Sequence, residues 1–207
     1  MDPKENSEHR RMIRTTQDDA RENAQISLFD LNPLQGRSNK YIPDATIDID
    51  GQLYEIELKT SDVVKKQVST ARNVTLPKLD EYRKVWWVFS QYQKTEAGFE
   101  FTGEHYVLSG GSLEPWFIKQ ADKISWGTKT YGGLEHWNVC KKLLEKQVSQ
   151  DTLQRLDNSF HKKGCGLNDP KISWRDVMAY GTKIDKSRPV NHLREIMKKK
   201  LDNHSNP

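Results

Sequence analysis

The chain has 207 residues, enough for one sizeable domain with its own core and a tail. Six tryptophans and seven tyrosines argue against a disordered chain, although the mean hydropathy is −0.88. A net charge of +4 suits a polyanionic partner without requiring one, and two cysteines are too few for a disulfide framework. No apolar run is long enough to span a membrane, and Met1 to Arg14 is too polar for a signal peptide, so a soluble cytoplasmic protein is expected.

Thr16 to Leu31, with Ala20, Ala24, Ile26, Leu28 and Phe29, predicts a short helix or two ending before Asn32-Pro33. Leu34 to Tyr41 reads as a loop. Pro43 to Lys59 reads as a β-hairpin turning at Asp50-Gly51. Thr60 to Asn73 is polar, with Val63, Val64 and Val68 as its few anchors. Thr75-Leu76-Pro77 opens a short helix over Lys78 to Lys84. The apolar run Val85 to Phe89 predicts a central buried strand, and Phe99 to Leu108 another. Trp116 to Trp126 and His136 to Leu156 read as helices, the second with an apolar stripe of Val139, Leu143, Leu144 and Val148. A loop at Gly164 to Pro170 precedes a helix from Ile172 to Tyr180. The C-terminal stretch carries Leu193, Ile196, Met197 and Leu201, with Lys198-Lys199-Lys200 on a solvated face. The mixed order predicts an α/β (α+β) domain around a mixed sheet.

The hairpin carries the chemistry. Ala45, Ile47 and Ile49 share one parity, as do Tyr54, Ile56 and Leu58; Asp44, Thr46 and Asp48, with Glu55, Glu57 and Lys59, share the other. Strand side chains alternate faces, so the charged set converges on one surface, where a divalent cation relieves the repulsion between carboxylates. Mg²⁺ prefers oxygen ligands and keeps several waters, so Asp44, Glu57 and the backbone carbonyl of Leu58 suffice to hold it. Lys59 shares the face of Glu57 and suits charge stabilisation on a phosphate; Glu55 and Asp48 are auxiliary candidates. Taken alone, Glu-x-Lys also fits a solvated strand face. His105 and His136 have no partner at metal or triad spacing and read as structural, as do Trp86 and Trp87.

Four segments in order resemble the PD-(D/E)XK nuclease superfamily, and within it the PvuII-like branch of type II restriction endonucleases. They are Gln17-Asp18; Pro43 to Thr60; Tyr82-Arg83-Lys84-Val85-Trp86-Trp87-Val88-Phe89; and Asn168-Asp169-Pro170-Lys171-Ile172 with Val177-Met178 and Gly181-Thr182-Lys183-Ile184. The resemblance implies a restriction-endonuclease-like mixed central sheet flanked by helices. It implies Asp44, Glu57 and Lys59 as catalytic residues, Mg²⁺ as cofactor, Tyr82 beside the metal, and Asp18 at the DNA minor groove. The hairpin departs from the family by two extra residues after Gly51-Gln52, which preserves strand parity, and by one before. The family's base-reading histidines are absent, and Ser69 to Asn73 stands in their place. Arg72, Asn73, Asn168, Asp169 and Lys183 are the remaining DNA-contact candidates, since Arg pairs with guanine, Asn with adenine and a carboxylate with cytosine. Arg72 and Asn73 also fit a solvated loop, Asp169 a helix N-cap and Lys183 plain surface.

By that resemblance the chain divides into an N-terminal dimerisation region (1–34), a nuclease core with recognition loops (35–184) and a basic C-terminal helix (185–207). The expected activity is Mg²⁺-dependent cleavage of double-stranded DNA at a short palindromic site by a homodimer, leaving 5′-phosphates, with a cognate DNA methyltransferase as companion. A structure-selective repair or recombination nuclease and a catalytically inactive DNA-binding protein are the alternatives.

Overall fold

A computed structural model describes residues 19–34, 43–71, 74–131, 134–162, 167 and 169–205. Helix α1 (residues 19–29) leads into a short strand β1 (Asn32–Pro33), then β2 (Ala45–Ile49) and β3 (Gln52–Asp62). These are followed by β4 (Gln67–Ser69), α2 (Leu76–Tyr82), β5 (Trp86–Thr95), β6 (Gly98–Ser109) and a 3₁₀ turn at Gly110–Leu113. The rest is α3 (Glu114–Tyr131), α4 (Leu134–Leu144), α5 (Gln150–Lys162), β7 (Lys171–Ser173), α6 (Trp174–Tyr180), β8 (Thr182–Lys183) and α7 (Pro189–Ser205). A six-stranded sheet runs β1-β2-β3-β5-β6-β8, and β4 pairs with β7 in a separate two-stranded ribbon. The sheet is mixed: β3 and β5 are parallel, and the other neighbours antiparallel. This is the α/β architecture expected from the sequence.

The hairpin forms as its residues dictate. Asp50 and Gly51 have φ of 54° and 82°, the left-handed pair that a two-residue type I′ turn needs. Asp48 Oδ1 accepts the Gly51 N–H at 2.8 Å and closes the turn. The register sets Thr46 opposite Glu55 and Ile47 opposite Tyr54.

Each sheet face has its own core, which explains the unbroken apolar run in β5. Trp87 and Phe89 join Leu79, Tyr82, Leu108, Phe117 and Ile172 on one face. Trp86 and Val88 join Phe29, Ile47, Ile56, Leu58, Leu193 and Met197 on the other. Helices α2, α3 and α6 therefore cover the first face, and α1 and α7 the second. Gly110 lets two backbones meet: a Cβ there would lie 1.9 Å from the Arg83 carbonyl oxygen. Among the described residues, no helix is long and apolar enough to cross a membrane.

Several expected elements differ. Asn32-Pro33 pairs with β2 instead of serving only as a helix stop. The polar stretch after Lys59 holds the end of β3 and all of β4, whose partner Lys171–Ser173 had read as the start of a helix. The helix expected over His136 to Leu156 breaks into α4 and α5, because the Ser149 hydroxyl accepts the Thr152 N–H and starts a new helix. The expected apolar stripe does not form a buried seam: Val139 and Leu143 are 59% and 62% exposed.

Candidate active site

The site lies where β2 and β3 part. Their ladder ends with the Asp44 N–H donating to the Ile56 carbonyl at 3.1 Å. The next outward-facing donor on β3, the Leu58 N–H, goes instead to the Asp44 carboxylate, Oδ2, at 2.8 Å. Within a strand, a residue's N–H and C=O point to the same edge, so the Leu58 carbonyl faces the gap beyond the end of β2. One side-chain hydrogen bond thus fixes Asp44 beside β3 and leaves a backbone oxygen pointing at the same space.

Three oxygens from these elements converge on one cation, the Lys59 ammonium. Its Nζ lies 2.5 Å from Glu57 Oε1, 3.0 Å from the Leu58 carbonyl and 3.8 Å from Asp44 Oδ2. All three side chains are largely enclosed, at 15% exposure for Lys59, 6% for Glu57 and 17% for Asp44. Burial, then repulsion from Asp44, pushes the Glu57 carboxyl up to about 7 against the pull of Lys59 and Lys78. Burial works against the Lys59 charge, but Glu57 and Asp44 outweigh it and hold the ammonium above its ordinary range. Burial, then the Glu57 charge, raises the Tyr82 phenol.

The donor set fits a hard divalent cation. Three oxygens already surround a positive charge, and Glu57 sits so near neutrality that a stronger cation would stabilise its ionised form. Among the described residues, no group of three or more His, Cys, Asp and Glu side chains is placed to hold a metal. A divalent ion placed here would find two carboxylates and one carbonyl as protein ligands.

The other candidates lie apart from this cluster. Asp48 pairs with Leu53 at the turn, about 13 Å along the strand from Asp44, and is occupied with Gly51. Glu55 is exposed opposite Thr46. Asp169 has φ 57° and accepts the Thr70 N–H at 3.1 Å and the Lys171 ammonium. It is not a helix cap: Ser173 caps α6 by accepting the Asp176 N–H at 3.0 Å. Lys183 lies on β8 at the far edge of the sheet and pairs with Glu104. His105 is buried against the Ser90 hydroxyl at 2.9 Å, and burial lowers its pKa to about 4, in keeping with a structural role. Asp18, Arg72, Asn73 and Asn168 lie outside the described residues.

Sequence reasoning missed three contributors. Gln25 of α1 is 1% exposed and donates to the Ser90 hydroxyl at 2.9 Å and to the Lys59 carbonyl at 3.4 Å, bracing the lysine's strand from behind. Its signal was a polar residue four positions before Phe29, on the same helix face. Glu22 and Gln25, with Leu58, Lys59, Thr60, Ser69 and Thr70, line a groove of about 210 Å³ that runs from the lysine to the β4–β7 ribbon. Lys78 of α2 is only 9% exposed and lies 5.5 Å from the Tyr82 ring centre. No protein-family model matches the chain, and no curated protein matches it in sequence.

Proposed function

We propose that the protein is a type II restriction endonuclease that uses Mg²⁺ to hydrolyse phosphodiester bonds of double-stranded DNA. The observation that carries this reading is the convergence of Asp44 Oδ2, Glu57 Oε1 and the Leu58 carbonyl on one enclosed cation, the ammonium of the lysine two residues beyond the glutamate. Asp44 and Glu57, with the Leu58 carbonyl, hold the ion. When bound, Mg²⁺ supplies polarisation of the scissile phosphate and a lowered pKa for the attacking water. Lys59 keeps its charge in this setting and stabilises the negative charge that grows on the phosphate oxygens. Gln25 holds the Lys59 strand in place.

The ordered segments that resemble PvuII-like enzymes support the narrower reading: a homodimer at a short palindromic site, leaving 5′-phosphates, in a cytoplasm shared with a cognate methyltransferase. The test is to digest a large DNA with purified protein and Mg²⁺ and to sequence the fragment ends. A single motif at the ends, lost in Glu57→Ala, is the expected result. Cuts at DNA junctions or flaps without a motif would make it a structure-selective nuclease, and metal-independent binding without cleavage would make it a DNA-binding protein.

A further inference from the structure

Behind Lys59 a buried polar chain crosses three strands. Ser90 of β5 sits beside Thr60 of β3 on one side and His105 of β6 on the other. The Gln25 amide of α1 donates to Ser90 Oγ at 2.9 Å and reaches the Val88 and Lys59 carbonyls at 3.4 Å each. Ser90 Oγ lies 2.9 Å from His105 Nδ1. All three side chains are buried, at 1% exposure for Gln25, 0% for Ser90 and 3% for His105. Phe29 and Phe101 meet the imidazole edge to face, with ring centres 5.3 and 5.5 Å away, and hold it in place. Carbonyls only accept, so the atom facing them is the amide nitrogen, and the orientation of Gln25 is fixed. Its short bond occupies one lone pair of Ser90 Oγ and leaves the Ser90 hydroxyl proton for His105 Nδ1. The imidazole is then neutral with its proton on Nε2, and burial keeps it neutral by lowering its pKa to about 4.

Docking of α1 does not call for this arrangement. Gln25 Oε1 is buried with no hydrogen-bond partner among the described residues, a cost that an apolar side chain of similar length avoids. What the amide adds is a hold on the peptide that joins Lys59 to Thr60. Its contacts to the carbonyls are long, so its place is set by the short bond to Ser90, whose hydroxyl is in turn aimed by His105. Lys59 Nζ stands about 6 Å from its Cα, so a strand tilt of roughly 10° moves it by about 1 Å. A displacement of about 1 Å is enough to cost on the order of 10²-fold in rate. We propose that Ser90 and His105 are positioning residues for Lys59, acting through Gln25 to fix the peptide that aims its ammonium at the scissile phosphate. This rests on the nuclease reading above. It gives a task to two residues on the sheet face opposite the one that carries Glu57 and Lys59.

The test compares the full-length wild type with Ser90→Ala, Gln25→Leu, His105→Phe and His105→Asn. Phenylalanine fills the space of the imidazole without an acceptor, and asparagine carries an oxygen that can stand where Nδ1 does. The measurements are the thermal midpoint, DNA affinity, single-turnover cleavage in Mg²⁺ at saturating DNA and well below the lowest midpoint, and the ¹³C shift of the Lys59 carbonyl in metal-free buffer. Ser90→Ala, Gln25→Leu and His105→Phe should cleave about 10-fold to 10²-fold more slowly at unchanged DNA affinity. Their Lys59 carbonyl signal should move upfield as its hydrogen bond is lost. His105→Asn should recover most of the rate and the wild-type carbonyl shift, whatever its midpoint. A purely structural role gives lower midpoints, His105→Asn included, with wild-type rate and carbonyl shift in every folded variant, and that result overturns the inference. So does a slow His105→Phe that His105→Asn does not rescue, or a slower rate with the carbonyl signal unmoved. If Ser90→Ala does not fold, the two His105 variants decide the question by the same readings. Failure of the wild type to cut any DNA overturns the nuclease reading instead, and the carbonyl shift in Ser90→Ala and His105→Phe still decides whether the chain of bonds reaches Lys59.

Discussion

Glu57→Gln should abolish most of the pH dependence of stability between about pH 4.5 and 7 in metal-free protein. The folded protein holds the Glu57 carboxyl at about 7 against an ordinary 4.5, chiefly through burial and then through Asp44. A carboxyl whose pKa rises on folding binds its proton more tightly in the folded state. Its stabilising contribution is therefore complete below the unfolded pKa and is lost as pH rises through the folded one. At about 1.4 kcal/mol per pH unit, the loss amounts to about 3 kcal/mol between pH 4.5 and 7. Glutamine keeps the shape but cannot ionise, so Glu57→Gln should be flat where the wild type falls, and more stable than it at pH 8. The assay is urea denaturation with a chelator present, at intervals from pH 4.5 to 8.5. Mg²⁺ then supplies a second arm: it should stabilise the wild type more at pH 8 than at pH 5, since metal and proton compete for one carboxylate, and should leave Glu57→Gln nearly unaffected. Parallel stability profiles for wild type and Glu57→Gln would show that folding does not raise the Glu57 carboxyl.

Other outcomes follow under the nuclease reading. Lys59→Ala should lose cleavage by at least about 10³-fold in a plasmid assay while still retarding DNA in a gel, because it removes charge stabilisation at the hairpin and leaves the rest of the surface in place. Asp44→Ala should abolish cleavage, whereas Asp48→Ala, which touches only the turn, should cut within a few-fold of wild type and lose about 1 kcal/mol of stability through the Gly51 N–H. Gly110→Ala should be among the most damaging single substitutions, at about 3 kcal/mol or more by denaturant titration, because its Cβ meets backbone and not a movable side chain.

The hairpin was legible because its signals are local: a turn that needs two positive φ angles, and period-two alternation that survives an insertion of two residues. The central strand was legible for a related reason, since Val85 to Phe89 feeds two cores at once. What the sequence hid was pairing at long range. Gln67–Ser69 and Lys171–Ser173 are three residues each and show no alternation, and their ladder joins positions about a hundred residues apart. The burial of Lys78 carried no signal at all: a lysine in the first turns of a helix after proline looks like solvent-facing surface until α2 is seen packed on the sheet face that carries Glu57 and Lys59.

The ribbon also gives Asp169 a structural task. Its carboxylate accepts from the Thr70 N–H and from Lys171, whose ammonium also reaches the Ser69 hydroxyl, and the Thr70 hydroxyl donates to the Pro170 carbonyl. A carboxylate so engaged shapes the loop, and with about four acceptor sites it keeps room for a further donor such as cytosine N4. The same bonds tie Ser69 to Ala71 to Asp169 to Lys171, and the Val74–Leu167 bridge ties the far sides of the two segments. The groove of about 210 Å³, lined by Ser69 and Thr70 as well as Lys59, connects this ribbon to the hairpin. Under the nuclease reading, Asp169→Asn should leave the chemistry at the hairpin intact and alter which sites are cut, because the change weakens the hold on Lys171 and Thr70 without touching Asp44, Glu57 or Lys59. Sequencing the fragment ends from Asp169→Asn and wild-type digests separates the two effects: a relaxed or shifted motif at a similar rate is the expected outcome, and a lower rate at an unchanged motif would place Asp169 with the catalytic support instead.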